Sequence, residues 1–238
     1  MGIIGTAFAF LPALAVTSVL NTLAFQMPSM QTGRRLRRTC TRCGQPPRLL
    51  ESVALISYLW RRGRCSHCGA PEGIRAPMLE IAAGFLCVAC FARFGVSGRG
   101  FVASLFCAVL LVIAASDLER RLIPNVVVVP AGVFILLANM LVAPHRSAEL
   151  LIAAAGTATA FLIVALIYRG ALGMGDVKLA FLLGAGLGRH VVPALLIALF
   201  LAAAVGLVLI LRRGVGARKE TIPLAPFLAL GAIVALLA

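Results

Sequence analysis

The chain has 238 residues, of which 61% are hydrophobic and only 13% charged, with a formal net charge of +14. That apolar share is too high for an ordinary soluble domain or a disordered chain. Nucleic acid is not an expected partner either, because the basic residues lack the interleaved aromatic side chains of a single-strand binder. The composition predicts an all-α, polytopic membrane bundle whose surroundings are membrane lipids.

A helix that crosses the hydrocarbon core needs roughly 20 apolar residues. In chain order, the first such stretch is 1–25. It carries no Lys or Arg ahead of its apolar run, so it reads as a retained transmembrane helix rather than a cleaved signal. Residues 26–77 are polar and basic and read as a small loop module. The remaining stretches are 77–94, 100–116, 122–144, 150–168, 174–188, 190–211 and 221–238. Of these, 77–94 and 174–188 are the weakest, since Glu80 lies near one end of the first and Asp176 and Lys178 interrupt the second. About eight transmembrane helices are therefore expected. The domains would be 1–25 as the first helix, 26–77 as a loop domain and 78–238 as the main membrane domain.

Lys and Arg alternate from loop to loop along this series. Eighteen of the 22 fall on one side, in 26–77, 117–121, 169–178 and 212–220; only Arg93, Arg99, Arg146 and Arg189 fall on the other. Positive loops stay in the cytoplasm, so the long basic loop is expected inside and both termini outside. The localisation implied is a multi-pass membrane protein with its basic loops on the cytoplasmic side. His145 and His190 fall on the outer side and receive no role.

The loop carries Cys40-Thr-Arg-Cys43 and Cys65-Ser-His-Cys68. Two Cys-x2-Cys pairs at this separation read as a tetrahedral zinc site, each pair supplying two thiolates from a tight turn. Gly44 and Gly69 follow the two pairs directly. A reducing cytoplasm disfavours disulfides there. Four thiolates leave no open coordination position, so Cys40, Cys43, Cys65 and Cys68 predict a structural zinc that supplies folding energy to a loop with little core. Cys87 and Cys90 repeat the spacing on an apolar helix, where they read as small packing residues.

Only two aspartates occur, Asp117 and Asp176, and each sits where an apolar span meets a polar segment. A carboxylate at membrane depth is costly and marks function by default. Two spans separate them, so both fall on the cytoplasmic side and a dyad is permitted. Paired carboxyls share one proton, letting one act as base and the other as acid on a single water. Asp117 is followed by Leu122-Ile123-Pro124-Asn125, where Pro124 suits the start of the next helix. Asp176 follows Gly173-Met174-Gly175, whose glycines permit unusual backbone angles and close approach of an extended substrate. Lys178 suits topology or a headgroup contact. The plainer alternative is a helix-capping aspartate and a glycine-rich turn.

These residues resemble the type IV prepilin peptidases, bifunctional leader peptidase/N-methyltransferases, over almost the whole chain. The family's Gly-x-Gly-Asp motif is matched by Gly173-Met174-Gly175-Asp176, and its first aspartate motif by Asp117 with Leu122-Ile123-Pro124-Asn125. The paired cysteine loop is followed by Arg75-Ala-Pro-Met-Leu-Glu80, similar to Arg-Tyr-Pro-x-x-Glu. Ser18-Val-Leu-Asn21 is similar to an N-terminal Ser-Phe-x-Asn. Ile222-Pro-Leu-Ala-Pro-Phe-Leu-Ala is similar to a late Ile-Pro-Phe-Gly-Pro-Phe-Leu-Ala, with Ala225 in the glycine position.

The resemblance implies an intramembrane aspartyl endopeptidase with Asp117 and Asp176 as catalytic residues. Gly173, Gly175, Lys178, Pro124 and Asn125 would support the substrate site. The substrates would be type IV prepilin or pseudopilin proteins, cut after a Gly at the cytoplasmic face. The resemblance also implies N-methylation of the new N-terminal residue with S-adenosylmethionine, with Glu80 and Asn21 as contributors to cofactor or substrate binding. No Gly-x-Gly-x-x-Gly fingerprint for that cofactor is present. Three alternatives stay open. Departures from the family pattern at Thr22, Gln26 and Ala76 allow a peptidase without methyl transfer. A proton-coupled transporter would use the aspartates as relays, although no internal repeat supports it. A zinc-loop membrane scaffold explains the loop but not two isolated aspartates on one face.

Overall fold

The computed structural model describes residues 42–43, 54–65, 67–71, 73–168, 172–213 and 223–238. Among these the chain is helical, and the only extended feature is an isolated antiparallel bridge between Arg64 and Pro71. Eight helices follow in order: α1 (Ala54–Trp60), α2 (Arg75–Phe94), α3 (Gly98–Arg120), α4 (Asn125–Val142), α5 (Ser147–Ile167), α6 (Met174–Leu187), α7 (Val191–Arg213) and α8 (Ala225–Leu237). Five stretches are long and apolar enough to cross a bilayer: 75–94, 98–120, 125–142, 144–167 and 174–212. The predicted first span, 1–25, lies outside the described residues.

The fifth stretch is 39 residues long, about twice what a hydrocarbon core requires, and its backbone breaks in the middle. Gly188 has φ +58° and opens a short 3-10 turn, Gly188–His190, that separates α6 from α7. A Cβ there would lie 2.6 Å from Glu149 Oε1. Conformation and space both call for glycine at this break.

The helices sit close to the sequence expectation, with two instructive differences. α3 continues through Asp117 to Arg120 instead of ending at 116. No helix breaker occurs in Ser-Asp-Leu-Glu-Arg, and the helix stops only where Arg121 turns to φ +51°. α5 begins three residues earlier than expected. Pro144 opens a 3-10 turn, and Arg146 then pairs with Glu149 across the first turn at 2.8 Å. Glu149 also accepts the Arg189 N–H at 2.8 Å, tying this turn to the one that follows α6. α1, a short helix inside the polar loop, has no counterpart in the sequence reading.

Two compact units are formed, Met1–Val112 and Ile113–Ala238. In the first, the α2–α3 turn is packed by Phe91 against Phe101, edge to face with centroids 4.9 Å apart. Cys87, Cys90 and Cys107 are buried, and the Cys90 and Cys107 sulfurs lie 3.7 Å apart. They fill space between helices, as expected for thiols on an apolar face.

The second unit is built around α6, which buries Leu179, Ala180, Leu182, Leu183 and Ala185 completely. Lipid tails give no hydrophobic drive for helix pairing, so close backbone approach and interhelical hydrogen bonds hold such units together. Both are present. Asn139 of α4 donates to the Ala185 carbonyl at 3.0 Å, and Thr157 of α5 to the Ala180 carbonyl at 2.9 Å. A Cβ on Gly184 would stand 2.4 Å from the Ala153 carbonyl oxygen, and one on Gly231 of α8 would stand 2.3 Å from the Ala194 carbonyl oxygen of α7. Gly184→Ala must therefore push α5 and α6 apart, at a cost of about 1–3 kcal/mol. A drop of several degrees in the thermal midpoint of the detergent-solubilised protein is the expected result; an unchanged midpoint would contradict the close α5–α6 crossing.

Candidate active site

Asp117 lies in the last turn of α3 and is only 7% exposed. Its Oδ2 accepts the backbone N–H of Ala225 at 3.1 Å, so this carboxylate meets the first residue of α8. The turn after α3 is fastened by Ser116, whose hydroxyl donates to the Leu122 carbonyl at 3.0 Å. Pro124 then caps α4 with its carbonyl, which receives the N–H groups of Val127 and Val128, both at 3.0 Å. That is the helix-opening role expected of it.

Asp176 lies in the first turn of α6, and its Oδ2 accepts the Gly173 N–H at 3.1 Å. This is the reaching-back half of a capping box, in which an acidic side chain satisfies a donor the helix start leaves free. The glycines act differently from expectation. Gly173 has φ −81°, a backbone angle open to any residue, and Gly175 is helical. What demands a missing side chain is space: a Cβ on Gly175 would stand 2.9 Å from Ile123 Cβ.

That contact brings the segment after Asp117 against the segment that carries Asp176. A second tie runs beside it. Lys178 donates from Nζ to Asn125 Oδ1 at 2.8 Å, so the residue read as a headgroup or topology lysine links α6 to the start of α4. The structure thus gathers Asp117, Asp176, Gly173, Gly175, Lys178, Pro124 and Asn125 at one end of the second unit. A buried and a half-buried carboxyl, each held by a backbone N–H and carried on segments that touch, are an arrangement able to activate water.

Sequence reasoning did not find the contact of Ala225 with Asp117. The signal was available in Ile222-Pro-Leu-Ala225-Pro226, matched as a motif but given no contact. Pro226 at the start of α8 lacks an N–H, which leaves the Ala225 N–H as the donor at hand.

In the first unit, the Sγ atoms of Cys43, Cys65 and Cys68 lie within 4.8 Å of one another, with Cys43 and Cys65 3.9 Å apart. Tetrahedral thiolates at about 2.3 Å from zinc would be separated by about 3.8 Å, so the spacing suits one ion. The second knuckle is shaped for it: Gly69 has φ +69°, its N–H bonds the Cys65 carbonyl at 3.0 Å, and the Cys65 N–H bonds the Ala70 carbonyl at 2.8 Å. Cys40 lies outside the described residues, as does Asn21. Glu80 is fully enclosed, and its Oε2 accepts the Leu55 N–H at 2.6 Å. It joins α1 to α2.

Comparison with known proteins agrees with the sequence resemblance. The profile of the Type IV leader peptidase family matches residues 104–211, which include both aspartates. That of the Bacterial Peptidase A24 N-terminal domain matches residues 11–94. Three relatives named Prepilin leader peptidase/N-methyltransferase are similar along most of their length. The protein from Burkholderia pseudomallei (strain 1026b) is 34% identical over 94% of this chain and 82% of its own. The Bacillus subtilis protein is 32% identical over 96% and 92%, and the Aeromonas hydrophila protein 33% over 84% and 71%. No solved structure gave a significant match. With two adjoining family profiles and relatives this similar in hand, the chain belongs to the type IV leader peptidase family.

Proposed function

We propose that this protein removes the short basic leader of type IV prepilin-like proteins and then methylates the new N-terminal amine. The observation that carries the reading is the meeting of the Asp117 and Asp176 segments at one end of the second unit. The names of the relatives agree with it, and they favour neither the transporter nor the scaffold. In the reaction, one aspartate takes a proton from water and the other protonates the cleaved bond, so that water is added across the amide after Gly. The pair acts as one titrating unit, and the acid and base are a property of the dyad.

The distribution of basic residues supports placing this end, the cysteine loop and α1 on the cytoplasmic face of a bacterial inner membrane. On that topology there are eight crossings, made by 1–25, α2, α3, α4, α5, α6, α7 and α8. The domains are 1–25, the loop 26–77 and the peptidase portion 78–238. One structural zinc on Cys40, Cys43, Cys65 and Cys68 holds the loop. Incubating the purified protein with a prepilin and methyl-labelled S-adenosylmethionine tests the whole reading. A shortened, labelled product is expected; an uncut substrate would refute it.

S-adenosylmethionine would supply an electrophilic methyl group to the amine. Glu80, with Asn21, is assigned to the N-terminal half that serves this second reaction. Glutamine at position 80 keeps an oxygen for the Leu55 N–H, removes the charge and turns the second oxygen into an amide NH2. Glu80→Gln should therefore lower methylation by about tenfold or more, the worth of a charge-assisted contact, while cleavage stays within a few-fold of wild type. Parallel loss of both reactions with lower protein yield would make Glu80 a purely structural link.

A further inference from the structure

We infer that the outer face of α1 is a docking surface for the anionic lipid leaflet, formed by Leu59 and Trp60 with Arg62 and Arg64. Leu59 is 69% and Trp60 88% exposed, whereas Ser57 on the same helix is buried. Behind them Gly63, with φ +70°, sits so close to Tyr58 that a Cβ would meet its ring at 2.8 Å. The helix end is thus folded back with one side turned inward and its largest apolar groups turned out. Arg62 and Arg64 follow immediately and are exposed.

Single exposed apolar residues need no explanation. What calls for one here is the level at which these lie. The Leu55 N–H bonds Glu80, five residues beyond Arg75, the first residue of a candidate span. Five helical residues advance about 7.5 Å, comparable to the roughly 5–7 Å depth of one interfacial layer. α1 has only seven residues, so Leu59 and Trp60 lie within about 7.5 Å of Leu55 along its axis, a distance comparable to one interfacial depth. Ile74 and Met78, at 58% and 59% exposure, add apolar surface on the neighbouring turn of α2.

Tryptophan favours the headgroup layer, where its ring is half in hydrocarbon and its N–H in water. Each arginine near an anionic leaflet strengthens such a contact by about fivefold. The positive charge beside the apolar pair selects anionic phospholipid over a neutral surface. Seated there, α1 would hold the cysteine loop flat on the membrane.

Trp60 is the only tryptophan in the chain, so its fluorescence reports this surface without labelling. The measurement needs no turnover and is independent of the peptidase reading. The full-length protein would be placed in nanodiscs of phosphatidylcholine alone or with phosphatidylglycerol, each with and without brominated acyl chains. In the anionic discs, brominated lipid should quench Trp60 at least about twofold and its emission should shift to the blue, as expected of an interfacial indole. Quenching should weaken in neutral discs, and also for Arg62→Gln combined with Arg64→Gln. Equal quenching in neutral discs would overturn the charge-assisted contact. Quenching by aqueous acrylamide but not by brominated lipid would overturn membrane docking and point to a soluble partner. Protection from both quenchers would overturn it in favour of a protein–protein contact.

Discussion

Asp117→Asn and Asp176→Asn will each abolish leader cleavage while the protein remains inserted and folded. Asparagine is the informative substitution at both positions. At 117 its side-chain oxygen still accepts the Ala225 N–H, and at 176 it still accepts the Gly173 N–H, bonds that are 3.1 Å long in each case. The packing around α8 and the start of α6 is therefore spared, and only the exchangeable proton is lost. Loss of a general acid or base costs about 10²–10⁴-fold, and both roles fail when either carboxyl is neutral for good. Asp117→Ala would be less clean. It would leave the buried Ala225 N–H without its acceptor, at about 1–3 kcal/mol, and confuse catalysis with folding. Turnover of a synthetic prepilin by detergent-purified variants is the measurement, and near-normal cleavage by either asparagine variant would sink the dyad.

Removing the proposed metal site should have the second largest effect, and of a different kind. The purified protein is expected to hold about one zinc per chain, and Cys43→Ser with Cys65→Ser to hold none. A loop of this size has little core, so ligation supplies much of its folding energy. Limited proteolysis should then cut the variant within 26–77 while leaving α4 to α8 intact. Cleavage of prepilin should weaken without vanishing, because both aspartates lie in the second unit. A wild-type protein that is free of metal, resists the protease and cleaves normally would exclude a structural zinc.

Much of this architecture is legible in the sequence, because a helix that must satisfy its own backbone in lipid announces itself by length and hydrophobicity. The stretch predicted at 174–188 is observed at Met174–Leu187, and 190–211 at Val191–Arg213. Asp117 and Asp176 are legible for the opposite reason, since charge is conspicuous where it is costly. The contacts that assemble the site are not encoded in that way. The Ala225 N–H belongs to a main chain 108 residues from Asp117, and no side-chain pattern marks a backbone donor. Lys178 looks the same whether it faces lipid headgroups or Asn125. Gly175 reads as a flexible residue, yet its role is to leave room for Ile123. α1 was missed because seven residues are too few to show a helical period.

The break at Gly188 has a consequence for bilayer thickness. It leaves α6 with 14 residues, about 21 Å of helix, against a hydrocarbon core of about 30 Å. On the proposed topology, Arg189 and His190, exposed just past its far end, would hold that end at the opposite interface. The shortfall of about 9 Å would then fall on the side of Asp176. Either the carboxylate is recessed beneath the headgroups or the lipid around α6 is drawn thin, and hydrophobic mismatch of this kind carries a free-energy cost that grows with acyl-chain length. If Asp176 acts on a peptide bond as proposed, the depth at which it does so would be set jointly by one glycine and by the lipids of the host membrane.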